Sequence, residues 1–527
     1  VIWILAFLSG LGAAFGLQPY NLWPLSFVAL ALWLALLRQS KTNRQVFFLG
    51  WFFAFGYFWL GLDWIAQAFT HQANMPSWLG FIAVPLLSCY LSCYLALGTL
   101  AARYFIAAVH SPFSAWKRAN LSTIPIWRWT LVVAGCWTIS EWIKSWLFAG
   151  FPWNPLGVIW LNLLPVAEIA RWIGSYALSA MAILVAGALL SLYEIIFPNR
   201  TKRLFPAQGW SRFLPAILII MPIVAWTLIA GYDVRWLWSD KKLIHLVIVQ
   251  PNIPQDEKAD TRYQARHAAI FTRLSGKAEP YPRMILWPED AVQTYLEEDP
   301  FTRTHLSEIL APRDLLLLGG DALVSNDEGR IIAVRNSLFV LNAKGILVKR
   351  YDKANLVPFG EFMPFRHWAS YLGLARLVPG DLDFIPGPGA ESFNFKDFGS
   401  VGIQICYEIV FSGRVVDRFH RPDFIFNLSN DSWFGVSGPP QHLAQARLRA
   451  IEEGLPIARA TSTGISALID AEGHIIDQLP VNRAGRLSVV VPPAMQPTFF
   501  ARYGNRISLI FAMSLLLITL LGRIKAR

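Results

Sequence analysis

Long, nearly unbroken apolar runs separated by short polar connections fill the first 232 residues, and one further run lies near the end of the chain. A bilayer core takes about 20 apolar residues per helix. The runs at 1–17, 22–37, 46–68, 78–102, 127–149, 174–195, 213–231 and 507–522 therefore predict about eight spans. The first lacks a basic leader and a small-residue cleavage site, and further spans follow it at once, so it reads as a span and not as a signal peptide. Between the seventh and eighth runs the pattern changes to short apolar segments of strand length set among polar residues. The expected organisation is a seven-span membrane domain at 1–232, an extramembrane domain at 240–495 and an eighth transmembrane helix at 507–522.

Within the middle stretch, strand-like runs begin at Leu243 and recur at Met284–Trp287, Leu315–Leu318, Ser337–Leu341, Ile346–Val348, Val401–Ile405, Phe424–Asn427, Ser466–Ile469 and Leu487–Val491. Helical patterns lie between several of them, at Asp260–Leu274 and Pro440–Glu453. Strands mixed with helices predict a layered α/β domain with sheets inside and helices outside.

Composition agrees with this division, since 54% hydrophobic and 15% charged residues exclude a large soluble protein. Charge adds an orientation. Arg38, Lys41 and Arg44, then Lys117, Arg118 and Arg128, then Arg200, Lys202, Arg203 and Arg212, and finally Arg523, Lys525 and Arg527 fall in one class of connection, whereas the opposite class offers only Arg171. Basic residues near span ends stay on the cytoplasmic side. Both termini are therefore expected in the cytoplasm, with the extramembrane domain outside. The net charge of +11 is largely this bias and gives no reason to expect a nucleic-acid partner.

Of the four cysteines, Cys89, Cys93 and Cys136 lie in apolar runs and Cys406 alone lies in the middle stretch, so no disulfide can form within it. Cys406 ends the strand Val401–Ile405 and is followed by Tyr407 and Glu408. At a strand-to-helix turn, backbone N–H groups can lower a thiol pKa and hold an oxyanion. Glu289 ends the run Ile285–Pro288, Lys353 follows Asp352, and Glu361 lies eight residues further on. Taken singly, these would be solvated turns and helix caps. Together, a thiol, a carboxylate base and an ammonium make up the equipment for covalent acyl transfer. No Cys/His spacing near Cys406 resembles a metal ligand set and no glycine-rich phosphate loop is evident, so no metal and no cofactor are expected. In the apolar region, Glu141 and Lys144 are three apart and could share a helix face near the outer end of their span.

The segments Trp287-Pro288-Glu289, Tyr351-Asp352-Lys353, Leu356–Glu361 and Ile405–Ile409 resemble the Glu, Lys and Cys motifs of the nitrilase (carbon-nitrogen hydrolase) superfamily. More narrowly, Ser429–Gly435 followed by Gly438–His442, together with Glu141-Trp142 and Gly150–Asn154, resemble the bacterial apolipoprotein N-acyltransferase family. The resemblance implies an α-β-β-α sandwich in the periplasm of a multi-pass inner-membrane protein. It also implies a phospholipid acyl donor and, as acceptor, the α-amino group of a diacylglyceryl-modified N-terminal cysteine on an apolipoprotein. By the same resemblance Cys406 is the nucleophile, Glu289 the base and Lys353 the oxyanion stabiliser, with Glu361, Tyr407 and Glu408 in supporting positions. Family members often carry Trp where this chain has Gln255–Ala259. A membrane-anchored amidase or nitrilase using the same trio is the alternative enzyme, and a transporter or receptor with a ligand-binding external domain is the non-enzymatic one. Residues 357–389, with Phe359, Phe362, Met363, Phe365, Trp368, Tyr371, Leu372, Leu374 and Leu377, are expected to form an apolar arm that guides lipid toward Cys406.

Overall fold

A computed structural model describes residues 1–71, 76–110, 121–197, 243–258, 260–363 and 382–524. The predicted span 213–231, Ala259 and the arm residues Phe365, Trp368, Tyr371, Leu372, Leu374 and Leu377 lie outside these residues. The chain divides into two compact units, one from the described residues within Val1–Asp63, Phe81–Val234 and Tyr503–Arg527, the other from those within Trp64–Gly80 and Arg235–Arg502.

The first unit is helical: Ile2–Ala14, Trp23–Arg38, Asn43–Gly61, Leu79–His110, Ile126–Lys144, Ser175–Ile196 and Arg506–Ile524 coincide with seven of the apolar runs. Among the described residues, Leu79–Val109 and Ser175–Ile196 are long and apolar enough to cross a membrane, and Asn43–Gly61 with Ile65–His71 would add a third if that bent pair is one span. Ile2–Ala14, Trp23–Arg38 and Arg506–Leu520 are shorter apolar helices. Aromatic rings fill the centre of the unit, with Trp33 stacked on Phe53 at 4.5 Å and edge-on to Trp137 at 5.6 Å. Several charged groups inside it are paired locally, which offsets the cost of removing them from water. Arg38 pairs with Glu194 at 2.6 Å. Glu141 and Lys144 are both buried and both turn to the backbone of one loop: Leu156 N–H donates to Glu141 Oε1 at 2.9 Å, and Lys144 Nζ donates to the carbonyls of Phe151 at 2.9 Å and Trp153 at 3.2 Å.

The second unit holds two six-stranded sheets. The first takes β1 (His245–Gln250), β2 (Arg283–Leu286), β3 (Leu315–Ser325), β4 (Ile331–Asn342), β5 (Leu347–Asp352) and β12 (Gly485–Val490), in the order β12-β1-β2-β3-β4-β5. The second takes β6 (Ser392–Phe395), β7 (Gly399–Ile405), β8 (Phe424–Ser429), β9 (Ile457–Thr461), β10 (Ser466–Ile469) and β11 (Ile475–Leu479), in the order β11-β10-β9-β8-β7-β6. Each has a parallel centre, β1-β2-β3 or β7-β8-β9, flanked by antiparallel strands. Parallel strands must be buried on both faces. One face of the first sheet packs its Val249, Ile285, Leu316 and Phe339 with Phe271 and Leu306, which come from the helices Gln264–Ser275 and Pro300–Ser307. The helix Gly438–Glu453 lies against β9. Gln250, at the end of β1, ties the sheets together, its Oε1 accepting from Ser466 N–H at 2.9 Å and Thr461 Oγ1 at 3.2 Å. The result is a layered α/β arrangement of the kind expected from the mixture of strand-like and helical segments.

Three strands escape a pattern reading. β9 carries Arg459 at its centre, β11 is mostly exposed, and β6 is a short edge strand. A charge inside a buried strand breaks the apolar run, and only partners elsewhere in the fold make it tolerable.

Candidate active site

Parallel strands direct their carboxyl ends to one edge, where loops can converge. β2, β7 and β8 end there in Glu289, Cys406 and the Ser429-Asn430-Asp431 turn. The antiparallel β5 delivers Lys353.

Cys406 begins a short 3₁₀ turn, Cys406–Val410, with φ +50°. A side chain in the left-handed region costs roughly 1–3 kcal/mol and persists only where its surroundings enforce it. Glu408 is one such restraint. Its carboxylate accepts from Ile405 N–H at 2.7 Å, Ala354 N–H at 2.7 Å, Asn355 N–H at 3.2 Å and Tyr351 Oη at 2.9 and 3.0 Å. It therefore clamps the turn at Cys406 to the loop leaving Lys353. Burial raises the pKa of Glu408, and its N–H donors work against that rise. A second restraint is His442, whose Nε2 lies 3.1 Å from the Cys406 carbonyl. A carbonyl only accepts, so this nitrogen carries the proton. Tyr407 is buried edge-on to Phe411 at 5.2 Å.

Glu289, Lys353 and Glu361 form one buried cluster. Lys353 Nζ lies 2.8 Å from Glu361 Oε1 and 3.3 Å from Glu289 Oε1. Asn336, on β4, bridges the same two carboxylates, its Nδ2 donating to Glu289 Oε1 at 2.7 Å and Glu361 Oε1 at 2.9 Å. The remaining oxygens are held by backbone, with Asn430 N–H donating to Glu289 Oε2 at 2.7 Å and Val357 N–H to Glu361 Oε2 at 2.8 Å. Both carboxylates are thus oriented from two sides. Burial alone would lower the pKa of Lys353, but Glu361 and Glu289 outweigh it and hold the ammonium charged. The Cys406 thiol is also shifted upward: burial and then Glu289 raise its pKa, against the opposing pull of Lys353. The resting group is accordingly a neutral thiol near a charged lysine. Such a thiol becomes a nucleophile when a base takes its proton during attack.

Beneath the thiol lies a second buried network. Ser429 Oγ, which hydrogen-bonds Cys406, donates to Asp431 Oδ1 at 2.6 Å. Arg459 Nη2 donates to both Asp431 oxygens at 2.8 and 2.7 Å, and Arg459 Nη1 also donates to Asn427 Oδ1. His442 Nδ1 lies 3.1 Å from Asp431 Oδ1. Burial would raise the Asp431 pKa, yet Arg459 and then His442 carry it well below the usual carboxylate range.

The fold brings all six residues singled out from the sequence, Glu289, Lys353, Glu361, Cys406, Tyr407 and Glu408, to this edge of the sandwich and buries each of them. Sequence reasoning assigned no part to Asn336, Ser429, Asn430, Asp431, Arg459 and His442. A signal existed for four of them, since Ser429, Asn430, Asp431 and His442 lie in the segments Ser429–Gly435 and Gly438–His442 that carry the family resemblance. Asn336 and Arg459 lie within strands, where the sequence offers no such mark.

Residues 9–188 match the family described as apolipoprotein N-acyltransferase N-terminal domain, and residues 248–495 match the carbon-nitrogen hydrolase family. The chain is similar to the apolipoprotein N-acyltransferase of Rhodopseudomonas palustris, at 30% identity over 99% of this chain and 95% of that relative. It is similar also to the apolipoprotein N-acyltransferase of Bradyrhizobium diazoefficiens, at 31% identity over 95% of this chain and 91% of that relative. A solved structure, Saccharomyces cerevisiae Nit3 of the nitrilase superfamily, aligns with 48% of this chain and 93% of its own at a TM-score of 0.34 and 16% identity. With family matches in both units and relatives of about 30% identity along nearly the whole length, the chain belongs to the apolipoprotein N-acyltransferase family.

Proposed function

We propose that this enzyme moves an acyl chain from a phospholipid to the α-amino group of the diacylglyceryl-cysteine that begins an apolipoprotein, by way of a thioester on Cys406. N-acylation of apolipoproteins is the activity its family name carries. The observation that carries the covalent route is the cluster in which one buried ammonium, Lys353, joins Glu289 and Glu361 beside a buried thiol in strained backbone.

In the first half-reaction Cys406 Sγ attacks the ester carbonyl while Glu289 accepts the thiol proton, and Lys353 stabilises the oxyanion that develops. The carbon–oxygen bond then breaks, Glu289 returns the proton to the departing lysophospholipid alkoxide, and the thioester remains. In the second, the acceptor amine attacks the thioester and Glu289 takes a proton from nitrogen. The carbon–sulfur bond breaks, the sulfur regains a proton, and an amide is released. Glu361, pinned by Val357 N–H, keeps the Lys353 ammonium in place, and Glu408 keeps the nucleophile in its turn.

A membrane setting suits a lipid donor. The apolar runs and the distribution of Lys and Arg in the sequence support about eight spans in a bacterial inner membrane, both termini in the cytoplasm and a catalytic domain at 240–495 in the periplasm. The amidase alternative is not favoured, because relatives matched over 95–99% of this chain are named as acyltransferases.

Enzyme given phospholipid alone should gain one acyl chain in intact mass, removable by hydroxylamine, and Cys406→Ala should gain none. Glu289→Gln should slow that gain by about 10²- to 10⁴-fold. Normal transfer by Cys406→Ala would refute the thioester route.

A further inference from the structure

The nucleophile's carbonyl is held by a ring that is itself packed from outside the two sheets. His442 lies within the helix Gly438–Glu453, is fully buried, and meets Cys406 O through Nε2 at 3.1 Å. Phe434 stands edge-on to His442 with ring centroids 5.3 Å apart and planes at 76°. Against Phe434, in turn, stands Trp64, at 4.7 Å and 73°. The next residue back, Trp433, meets His71 at 5.5 Å and 83°. Two neighbouring rings of the 431–438 loop are therefore each gripped by a ring from the segment 64–71.

That segment follows the helix Asn43–Gly61 and precedes the apolar helix starting at Leu79, yet it groups with the catalytic unit. Two glycines make the grip possible. A Cβ on Gly438 would meet Phe434 and come within 3.3 Å of Trp64 Cγ, and one on Gly435, at φ +56°, would come within 3.3 Å of Gln67 Cβ. Trp64 and Phe434 are themselves nearly buried, at 9% and 8% exposure. Edge-to-face pairs add about 0.5–1.5 kcal/mol each beyond the area they bury and favour one mutual angle. A run of two such pairs ending on His442 restricts where Nε2 can point. Nε2 determines where the carbonyl of a left-handed cysteine can point.

We propose that Trp64 is a positioning residue for Cys406, acting through Phe434 and His442, so that the connection between two apolar helices completes the geometry of the nucleophile. The proposal rests on Cys406 being that nucleophile. It makes the external domain dependent on a piece of chain encoded far ahead of it, between the helices ending at Gly61 and starting at Leu79.

The test uses the full chain in detergent micelles, with phospholipid added only for the thioester kinetics, and compares Trp64→Ala, Trp64→Phe, Phe434→Leu and the Trp64→Ala/Phe434→Leu double variant. Three quantities are read: the alkylation rate of Cys406 by iodoacetamide, with Cys406→Ala giving the background from Cys89, Cys93 and Cys136; kcat and KM for phospholipid in thioester formation; and the melting temperature. Trp64→Ala should lower the alkylation rate and kcat by about 10- to 100-fold, the range for a displaced reacting group, with KM little changed. Trp64→Phe, which keeps an edge, should recover most of the loss. The double variant should be no slower than the slower single, because both remove one series of contacts. Wild-type alkylation and kcat in Trp64→Ala would overturn the proposal, as would losses that multiply in the double variant or a loss appearing only as a lower melting temperature. If Trp64→Ala fails to fold, Phe434→Leu gives the same decision, since it keeps apolar volume while removing the ring edge. Failure of the nucleophile reading is seen separately, as acyl gain by Cys406→Ala.

Discussion

Asn336→Ala removes a single amide that serves two carboxylates at once. Its Nδ2 donates to Glu289 Oε1 at 2.7 Å and to Glu361 Oε1 at 2.9 Å, and a hydrogen bond to a charged acceptor is worth about 1.5–3 kcal/mol. Both bonds together set an upper limit of about 3–6 kcal/mol. The actual cost should fall near the lower end, because Glu289 keeps Asn430 N–H at 2.7 Å and Lys353 at 3.3 Å, and Glu361 keeps Val357 N–H and Lys353, each at 2.8 Å. If the share belonging to Glu289, about 1.5–3 kcal/mol, is lost from the barrier, thioester formation slows by about 10- to 150-fold. Asn336→Asp should be worse. It sets a third carboxylate against two others, a repulsion of up to about 4 kcal/mol at an effective dielectric near 20. The assay is single-turnover thioester formation from phospholipid followed by intact mass, with a melting curve for each variant. Asn336→Ala within about threefold of wild type, or Asn336→Asp faster than Asn336→Ala, would refute the view that this amide orients the base.

Arg459→Met should destabilise the two-sheet unit by about 3–5 kcal/mol, because it leaves Asp431 buried without its main counter-charge; an unchanged melting temperature at neutral pH would contradict this. Since the Asp431 pKa is depressed in the folded state, its contribution is complete above about pH 4 and fades as pH falls toward the folded value, so the gap between the two proteins should narrow in acid. Glu453 behaves oppositely. Burial lifts its pKa to about 7 against the pull of Arg421 and with help from Glu452, so the unfolded chain releases this proton first and stability falls as pH rises from 4.5 to about 7. Glu453→Gln should remove that fall, of order 3 kcal/mol, in melts taken across this range, and an equally steep pH dependence in the variant would count against it. For topology, a reporter fused after Gln208 should read cytoplasmic and one after Asp240 periplasmic; the same side for both would end the eight-span arrangement.

Hydrophobic periodicity is a local property, and what it controls was visible in the sequence. The apolar runs marked helices now seen at seven places, and the short runs marked every strand of the first sheet and three of the six in the second. The motif residues Glu289, Lys353 and Cys406 could be picked out because each ends a strand with a group that has chemical use. Glu408 shows where a local reading stops. Placed in the first turn after Cys406, it looks like an ordinary acidic cap, yet it accepts from Tyr351, Ala354 and Asn355, more than fifty residues earlier in the chain. Those partners exist only because β5 and β7 deliver their ends to one edge. Asn336 and Arg459 are further from view, being polar residues inside strands that a pattern reading treats as interruptions. Arg459 is tolerated in β9 because β8 runs parallel to it and carries Asn427 and Asp431 into range. A chain segment states by its own composition that it will be buried. Which donor meets which acceptor once it is buried depends on strand pairing between distant segments. That pairing, and with it the orientation of the base and the strained turn of the nucleophile, was decided by the tertiary structure.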